Sequence, residues 1–462
     1  MSSTIRSSDN RPTRASCAEI RLAAIPVLIR VCALVITRVL LAPFSMAEGD
    51  ASGAEPIRYE GDDEAGQGSE LHPAPGQVFA GPAAPTSQIE SDREEKDDLL
   101  DLHLLERWDA WKDPVYDRIG LKYGFDYNSL GYVATSSPGD IGAASGVVRL
   151  FGSWDFFGRG TKDTGGLIYK IEHRHRYTDT TPAEFGTEIG YAGFVNPLFT
   201  DQEFRVTHLH WRQSLLDGRL VGYLGWLDIT DYTDVYALAS PWTAFSNLAF
   251  SSGGGAIGGL PDGALGLMVG GFVTDKLYAN FGLVDANADP THIGQGFETF
   301  FGDFETFKSF EVGWTSDPDL LFVNNVHVTF WQIDARAEAG TPSGWGVNFS
   351  ATAAVAKAFL PFLRGGWAKD GGSLYEGTVS AGVGYQTPGS DSLLGVGVNW
   401  SRPNQSTFGA DLGSQFTGEL FYRAQLTQRV QITPSLQLIG NPAENPDKSF
   451  LAVFGLRLRA AF

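Results

Sequence analysis

The last fourteen residues of the chain constrain its fold more than any other segment. They read SFLAVFGLRLRAAF, and their side chains alternate between two faces. One face is apolar and consists of Phe450, Ala452, Phe454, Leu456, Leu458 and Ala460. The other face carries Arg457 and Arg459, which would need partners in a soluble core but none in a water-filled lumen. This pattern predicts a strand with lipid on one side and water on the other.

The same period of two continues along the chain from residue 120. The segment IYKIEHRHRY, for example, places Lys170, Glu172, Arg174 and Arg176 on a single face. Candidate strands begin near residues 121, 146, 165, 203, 219, 264, 277, 304, 323, 345, 359, 375, 392, 415, 429 and 449. Tight turns alternate with long loops rich in Gly and Pro, the longest at 179–202, 231–263 and 286–303.

Two architectures can accommodate this many strands, and the pattern favours one of them. A soluble β-sandwich rarely needs sixteen strands in one chain. Strands of about ten residues, even in number and with aromatic residues at their ends, are typical of transmembrane barrels. We therefore predict an all-β fold over 120–462, a transmembrane antiparallel β-barrel of about sixteen strands.

The N-terminus has the features of an export signal. Several arginines precede an apolar stretch, and Ser45 and Ala47 then supply small residues for a cleavage site. Arg30 and Arg38 interrupt the apolar stretch, so a retained membrane helix is the alternative. Two central arginines would cost such a helix several kcal/mol in a bilayer. We predict that 1–47 is a signal peptide.

Two segments separate the predicted signal from the first strand. Residues 48–92 are acidic, rich in Gly, Ala and Pro, and too polar to fold alone, so we predict a disordered leader. Over 93–114, apolar residues recur at helical spacing: Leu99, Leu100, Leu104, Leu105, Trp108 and Trp111. Ser91 and Glu94 form a capping pair, and Pro114 is the predicted end. We expect this amphipathic helix on the periplasmic side, capping or entering the barrel; the alternative is a helix that binds the cell wall or a partner protein.

Charge, cysteine content and missing motifs exclude several classes of function. Lys and Arg total 34 against 54 Asp and Glu, a formal net charge of −20, which argues against nucleic-acid binding. Both cysteines, Cys17 and Cys32, lie in the predicted signal, so the mature chain has no thiol for a disulfide, metal site or nucleophile. No nucleophile elbow, zinc-protease motif, P-loop or dinucleotide fingerprint is present. We predict no cofactor and no enzymatic activity.

Two histidine pairs are the only candidates for a metal site. His173 and His175, and likewise His208 and His210, are spaced by two, which places each pair on one face of a strand. Polar lining of a lumen or an interface explains the same spacing, and we favour it. We predict no metal.

Two stretches resemble a known family. Residues 207–250 contain Gln213-Ser214, a turn at Asp217-Gly218 and a strand that ends in Gly-Trp-Leu-Asp before a loop rich in Asp, Tyr, Phe and Ala. Residues 432–462 contain Thr-Pro-Ser-Leu-Gln, an Asn-Pro loop and a Gly-Leu-Arg-Leu ending. Both are similar to the carbohydrate-selective porins of the OprB family.

The resemblance implies a sixteen-stranded channel of the bacterial outer membrane that passes mono- or oligosaccharides by facilitated diffusion. It implies that outer-membrane lipid surrounds the barrel and that the protein is either a homotrimer or a monomer. It also implies that the barrel-assembly machinery recognises the terminal Phe462. A general diffusion porin without sugar selectivity is the nearest alternative, and an outer-membrane barrel hydrolase is a more distant one.

A sugar-selective lumen needs bidentate donors, acceptors and a flat apolar face rather than a field of one sign. Strands two to five and the loop after them supply such groups. The predicted pore-lining residues are Arg149, Lys170, Glu172, Arg174, Arg176, His210, Arg212, Asp228, Asp231 and Trp242, with Asp155, His208 and Trp226 on the same faces. Leu209, Trp211 and Leu215 should meet lipid, and the loop with Asp231 and Trp242 should fold inward.

Overall fold

Sixteen antiparallel strands form a single closed barrel. The computed structural model describes residues 79–100, 106–356 and 358–462, so the predicted signal and most of the predicted leader lie outside the described residues. The strands are β1 Leu121–Ala134, β2 Gly142–Phe157, β3 Gly165–Arg176, β4 Glu203–Leu215, β5 Leu220–Leu227, β6 Ala264–Phe272, β7 Leu277–Asp285, β8 Thr306–Thr315, β9 Asn325–Ile333, β10 Gly344–Thr352, β11 Phe359–Asp370, β12 Tyr375–Gln386, β13 Leu393–Pro403, β14 Gln415–Gln425, β15 Val430–Gly440 and β16 Phe450–Ala461. Each strand pairs with its neighbours in the chain, and β1 pairs with β16, so the sheet has no free edge.

The predicted barrel is confirmed, including the approximate start of every strand. In β16, Phe454 and Leu456 are 55% and 52% exposed on the outer face, while Arg457 and Arg459 are buried on the inner face. Large exposed apolar side chains on the outer face are what a bilayer accommodates. No described helix is long and apolar enough to cross a membrane.

The two ends of the barrel differ in their connections. The end that carries residues 120 and 462 has tight turns such as 216–219 and 426–429, and we call it the short-turn end. The opposite end, the long-loop end, carries the three longest connections, 177–202, 228–263 and 286–305. Short helical segments in the connections are α3 Phe185–Glu188, α4 Gln295–Glu298 and α5 Gln405–Phe408, the 3₁₀ turns Ile229–Asp231, Leu248–Phe250 and Pro318–Leu320, and a π turn Thr299–Asp303.

The connection 228–263, which we call the lumen loop, folds into the barrel. Its Tyr236, Phe245 and Phe250 pack against Phe362 and Phe421, which point inward from β11 and β14. Gly397 in β13 permits this approach, because a Cβ there would lie only 2.8 Å from the Phe250 ring. The loop is therefore held against the wall by an apolar cluster of its own.

The helices before the barrel differ from the predicted single helix over 93–114. The structure has α1 Pro85–Arg93 and α2 Glu106–Ile119, and residues 94–100 are not helical. Backbone pairing explains the gap, since the Leu99 amide donates to the carbonyl of Gln425 in β14 at 3.0 Å. Pro114 lies inside α2. The helix ends at Ile119, and Gly120 follows it with a φ of 75°, the left-handed conformation of a helix stop.

The structure also differs from the predicted disordered leader over 79–92. Phe79, Ala84 and Ile89 are buried inside the barrel, where α1 begins with a proline at its first position. This segment needs few apolar residues of its own to pack, because the barrel wall supplies most of the apolar surface that it contacts. The remaining predicted leader, 48–78, lies outside the described residues.

Candidate functional site

Inward side chains of β3 face the lumen loop across a cavity of about 460 Å³. The cavity is lined by charged residues, by one tryptophan and by part of the segment before β1. The residues that matter for its chemistry are Lys170, Glu172, Arg174, Asp228, Asp231 and Trp242. The structure therefore brings together six of the ten predicted pore-lining residues in one cavity.

Two arginines lie beside Trp242 of the lumen loop. The guanidinium carbon of Arg149 is 4.0 Å from the centre of the Trp242 ring, and that of Arg174 is 6.0 Å away. Phe199 packs against the same ring at 5.4 Å, and Trp242 is only 3% exposed. The flat face of Trp242, which was expected to stack on a sugar, is therefore covered by these neighbours. Trp242 instead holds the two guanidinium groups by cation–π contacts.

Each of these arginines is paired with a carboxylate on the inner wall. Arg149 donates from Nε to Asp126 at 2.8 Å and from Nη2 to the second oxygen of the same carboxylate. Arg174 donates from Nε to Glu172, two residues earlier on the same face, at 2.8 Å, and its Nη2 lies 2.6 Å from the same oxygen in an ion pair. Both pairs are buried. The Nη1 atom of each arginine has no hydrogen-bond partner among the described residues.

A second group of charges lies where the lumen loop leaves β5. Asp231 accepts from Lys170 Nζ at 3.3 Å and faces His208 Nε2 at 2.9 Å. Asp228 caps the following 3₁₀ turn by accepting from the Thr230 amide at 3.0 Å. Burial, together with the charge of Asp231, raises the pKa of Asp228 to about 8. Burial therefore favours the neutral form of Asp228.

The two histidine pairs have different surroundings. His173 and His175 lie on the outer face, where His173 contacts Phe204 and His175 stacks on Tyr127. In the lumen, His210 contacts the carbonyl of Trp226 at 3.2 Å and the hydroxyl of Tyr232 at 3.3 Å, which leaves neither ring nitrogen free.

Among the described residues, His208, Asp228 and Asp231 offer possible ligand atoms within 4.8 Å of one another. The Lys170 ammonium group already neutralises Asp231 through the oxygen that faces His208. We therefore assign these residues to the ion-pair network of the lumen and not to a metal site.

The cavity is not lined by the other four of the ten predicted residues, Arg149, Arg176, His210 and Arg212. Arg176 is at the long-loop rim, with a side chain 57% exposed and 3.6 Å from Asp201. Arg212 pairs with Asp155 at 2.7 Å and lines a separate opening toward the short-turn end. Trp226 is opposite Leu209, whose side chain faces outward, so Trp226 is on the outer face instead of the lumen. Leu209 and Leu215 are exposed to the outside, as predicted.

Arg457 holds the lumen loop against the wall, a role that the sequence did not indicate. The guanidinium group was expected to need no partner in a water-filled lumen. It donates to the carbonyls of Pro241 and Ala244 at 2.6 and 3.0 Å, on either side of Trp242 in the lumen loop. The loop is also tied to the wall by Glu419, which accepts from the Ser246 amide at 2.7 Å. No sequence signal connects residues this far apart.

Comparison with known proteins agrees with this geometry. The family model described as "Carbohydrate-selective porin, OprB family" matches residues 149–359 and 321–462. The high-pH structure of Pseudomonas putida OprB superposes with a TM-score of 0.64 at 16% identity, covering 80% of this chain and all of that chain, which shows the shared fold. A mutant of the Rh. blastica porin is 11% identical over 74% of this chain and its own full length, with a TM-score of 0.42. No curated protein sequence matches the chain. Because the family model spans well over half of the residues, the chain belongs to the carbohydrate-selective porin family OprB and forms a bacterial outer-membrane β-barrel.

Proposed function

We propose that this porin passes sugars by facilitated diffusion and that Arg149, Glu172 and Arg174 bind the solute at the narrow part of the lumen. The observation that carries the proposal is the pair of unpartnered Nη1 donors on Arg149 and Arg174. Buried donors without a partner are costly, and a solute hydroxyl that accepts from them removes the cost.

The balance of charge in the lumen supports a neutral solute. The inward cations that line this part of the barrel are paired with carboxylates: Arg149 with Asp126, Lys170 with Asp231, Arg174 with Glu172, Arg205 with Asp262 and Arg212 with Asp155. A lumen of paired charges has no strong field of one sign, yet it presents many fixed hydrogen-bonding groups. Neutral polyols match these groups better than ions do.

Trp242 is a positioning residue in this proposal. It fixes Arg149 and Arg174 side by side through its ring, and Arg457 fixes the loop on which it lies. Preorganised donors bind a solute without the entropic cost of ordering two long side chains.

Liposome swelling tests the proposal directly. Purified full-length porin is reconstituted, and swelling rates are compared for glucose, a disaccharide and a neutral amino acid. We expect glucose to enter faster than the amino acid, even though the amino acid is no larger. Rates that follow solute size alone would identify a general diffusion porin and contradict sugar selectivity.

The raised pKa of Asp228 gives a test by pH. A carboxyl group with a pKa of about 8 is neutral at pH 7 and becomes negative as the pH rises through 8. We expect the cation preference of the channel, measured as the reversal potential in a salt gradient, to increase between pH 7 and pH 9. The Asp228→Asn channel should match the wild type at pH 7 and lose the increase. An equal increase in the variant would assign the titration to another group.

A further inference from the structure

A segment that precedes the barrel crosses its lumen from wall to wall. This lumen segment consists of residues 79–93 and includes α1. At its start, the Phe79 ring packs against Phe272 and Tyr278 of β6 and β7, at 5.5 and 5.6 Å between ring centres. At its end, Asp92 pairs with Arg459 of β16. Since β7 and β16 are seven strands apart around a barrel of sixteen, these contacts lie on nearly opposite walls.

Most of the attachments between the lumen segment and the barrel are polar. Asp92 accepts from Arg459 Nη1 and Nη2 at 2.8 and 2.7 Å, an arrangement typical of a strong bidentate pair. Glu90 forms an ion pair with Lys122 of β1. The Gly81 amide donates to the carbonyl of Asp231 in the lumen loop at 2.7 Å, which ties the segment to the candidate site.

The lumen segment divides the half of the lumen nearer the short-turn end. On one side, a cavity of about 220 Å³ is lined by Asp391, Arg423 and Arg459 of the wall. On the other side, an opening of about 780 Å³ is lined by Asp155 and Arg212. Glu90 of the segment lines both spaces. A solute that leaves the candidate site toward the short-turn end must therefore pass this segment.

Several features make the docked segment easy to release. The buried Gln88 side chain has no hydrogen-bond partner for either its oxygen or its nitrogen, which penalises the docked state. The N-cap of α1 is Ala84, whose side chain cannot cap the helix. A helix of nine residues is also too short to persist alone in water. The docked conformation thus depends on its contacts with the wall, above all on Asp92 and Glu90.

We propose that residues 79–93 are a movable plug, which obstructs the short-turn half of the lumen when Asp92 is paired with Arg459 and leaves as a unit to open the channel. Short turns of outer-membrane barrels face the periplasm, so the plug closes the periplasmic exit. The inference rests on the chain forming a channel, as proposed above, but not on its preference for sugars.

Single-channel recording of the full-length porin in planar bilayers tests the plug. The Asp92→Ala channel loses the bidentate pair, while Arg459 keeps its contact with Asp126 at 2.8 Å. We expect the fraction of time in the highest-conductance state to rise about tenfold, as loss of a charged hydrogen-bonded pair implies. Glu94→Ala is the matched control, because Glu94 is an exposed carboxylate paired only with Lys96 among the described residues, and it should behave as the wild type.

A disulfide provides the opposite test in a fully folded channel. A side chain at Gly81 would occupy the space of the Val235 side chain, so Cβ atoms at these two positions lie within disulfide reach. Gly81→Cys with Val235→Cys, with Cys17 and Cys32 replaced by serine, should stay in the low-conductance state when oxidised and regain openings on reduction. Identical recordings of the oxidised and reduced channel, together with an Asp92→Ala channel that opens no more often than the wild type, would overturn the plug. Equal swelling rates for all solutes would instead contradict the proposed sugar function and leave the plug unaffected.

Discussion

An Arg174→Ala channel is expected to bind sugar about tenfold to a hundredfold more weakly than the wild type, while it keeps its open conductance. The estimate corresponds to one hydrogen bond from a charged donor, at about 1.5–3 kcal/mol. Arg174 lines the central cavity and has an unpartnered Nη1, so its loss removes a donor without narrowing the lumen. The measurement is the concentration dependence of the block that added sugar causes in the ion current. Arg149→Ala should have a similar effect.

Arg176→Ala is the matched control for this experiment. Arg176 is two residues away on the same strand and has the same charge, but its side chain lies at the exposed rim beside Asp201. We expect its removal to leave sugar block unchanged. Unchanged block in the Arg149 and Arg174 variants as well would place the binding site elsewhere in the lumen.

Deletion of Phe462 is expected to cause most of the protein to accumulate in the periplasm in a protease-sensitive form. Resemblance to outer-membrane proteins implies that the barrel-assembly machinery reads this terminal aromatic residue. In the folded barrel, Phe462 exchanges two backbone hydrogen bonds with Phe125 of β1, at 2.7 and 3.2 Å, and the two rings are 6.0 Å apart. The measurement is the amount of porin in isolated outer membranes.

Two controls separate targeting from stability. Refolded in detergent, the barrel without Phe462 should still fold and lose about 3–4 kcal/mol, from the burial of one partly exposed side chain and two backbone hydrogen bonds to Phe125 at about 1 kcal/mol each. Phe450→Ala changes the same residue type at the opposite end of β16, where the ring is exposed. It should insert normally. Insertion of the shortened chain at the wild-type level and rate would contradict the targeting role of Phe462.

Local alternation explains why so much of the barrel could be predicted. The face of a side chain in a strand depends only on its neighbours, so Lys170, Glu172 and Arg174 could be assigned to the lumen without knowing any partner. Pairings across the barrel could not be predicted. Arg457 binds the loop at Pro241, more than two hundred residues away, through carbonyl groups that have no sequence signature.

An irregularity in the backbone of β4 explains why the sequence did not show that Arg205 faces the lumen. A bulge in β4 shifts the register between Lys170 and Ile171, so Arg205 and His208 both point into the lumen although they are three residues apart. Counting by two cannot find such a shift. The single helix predicted over 93–114 was wrong for a related reason. The backbone amides of Leu99 and Leu100 donate to carbonyls at the β14–β15 turn, so these leucines do not form part of a helical face.

Arg459 also bears on the order in which the molecule assembles. Its guanidinium group joins Asp92 before the barrel and Asp126 in the first strand, while Arg459 itself belongs to the last strand. These contacts span more than three hundred residues, which makes them among the most non-local in the chain and costly in loop-closure entropy. β1 and β16 can pair only after all the strands between them have been synthesised. Closure of the sheet and capture of the N-terminal segment are therefore expected to be a single late step in folding.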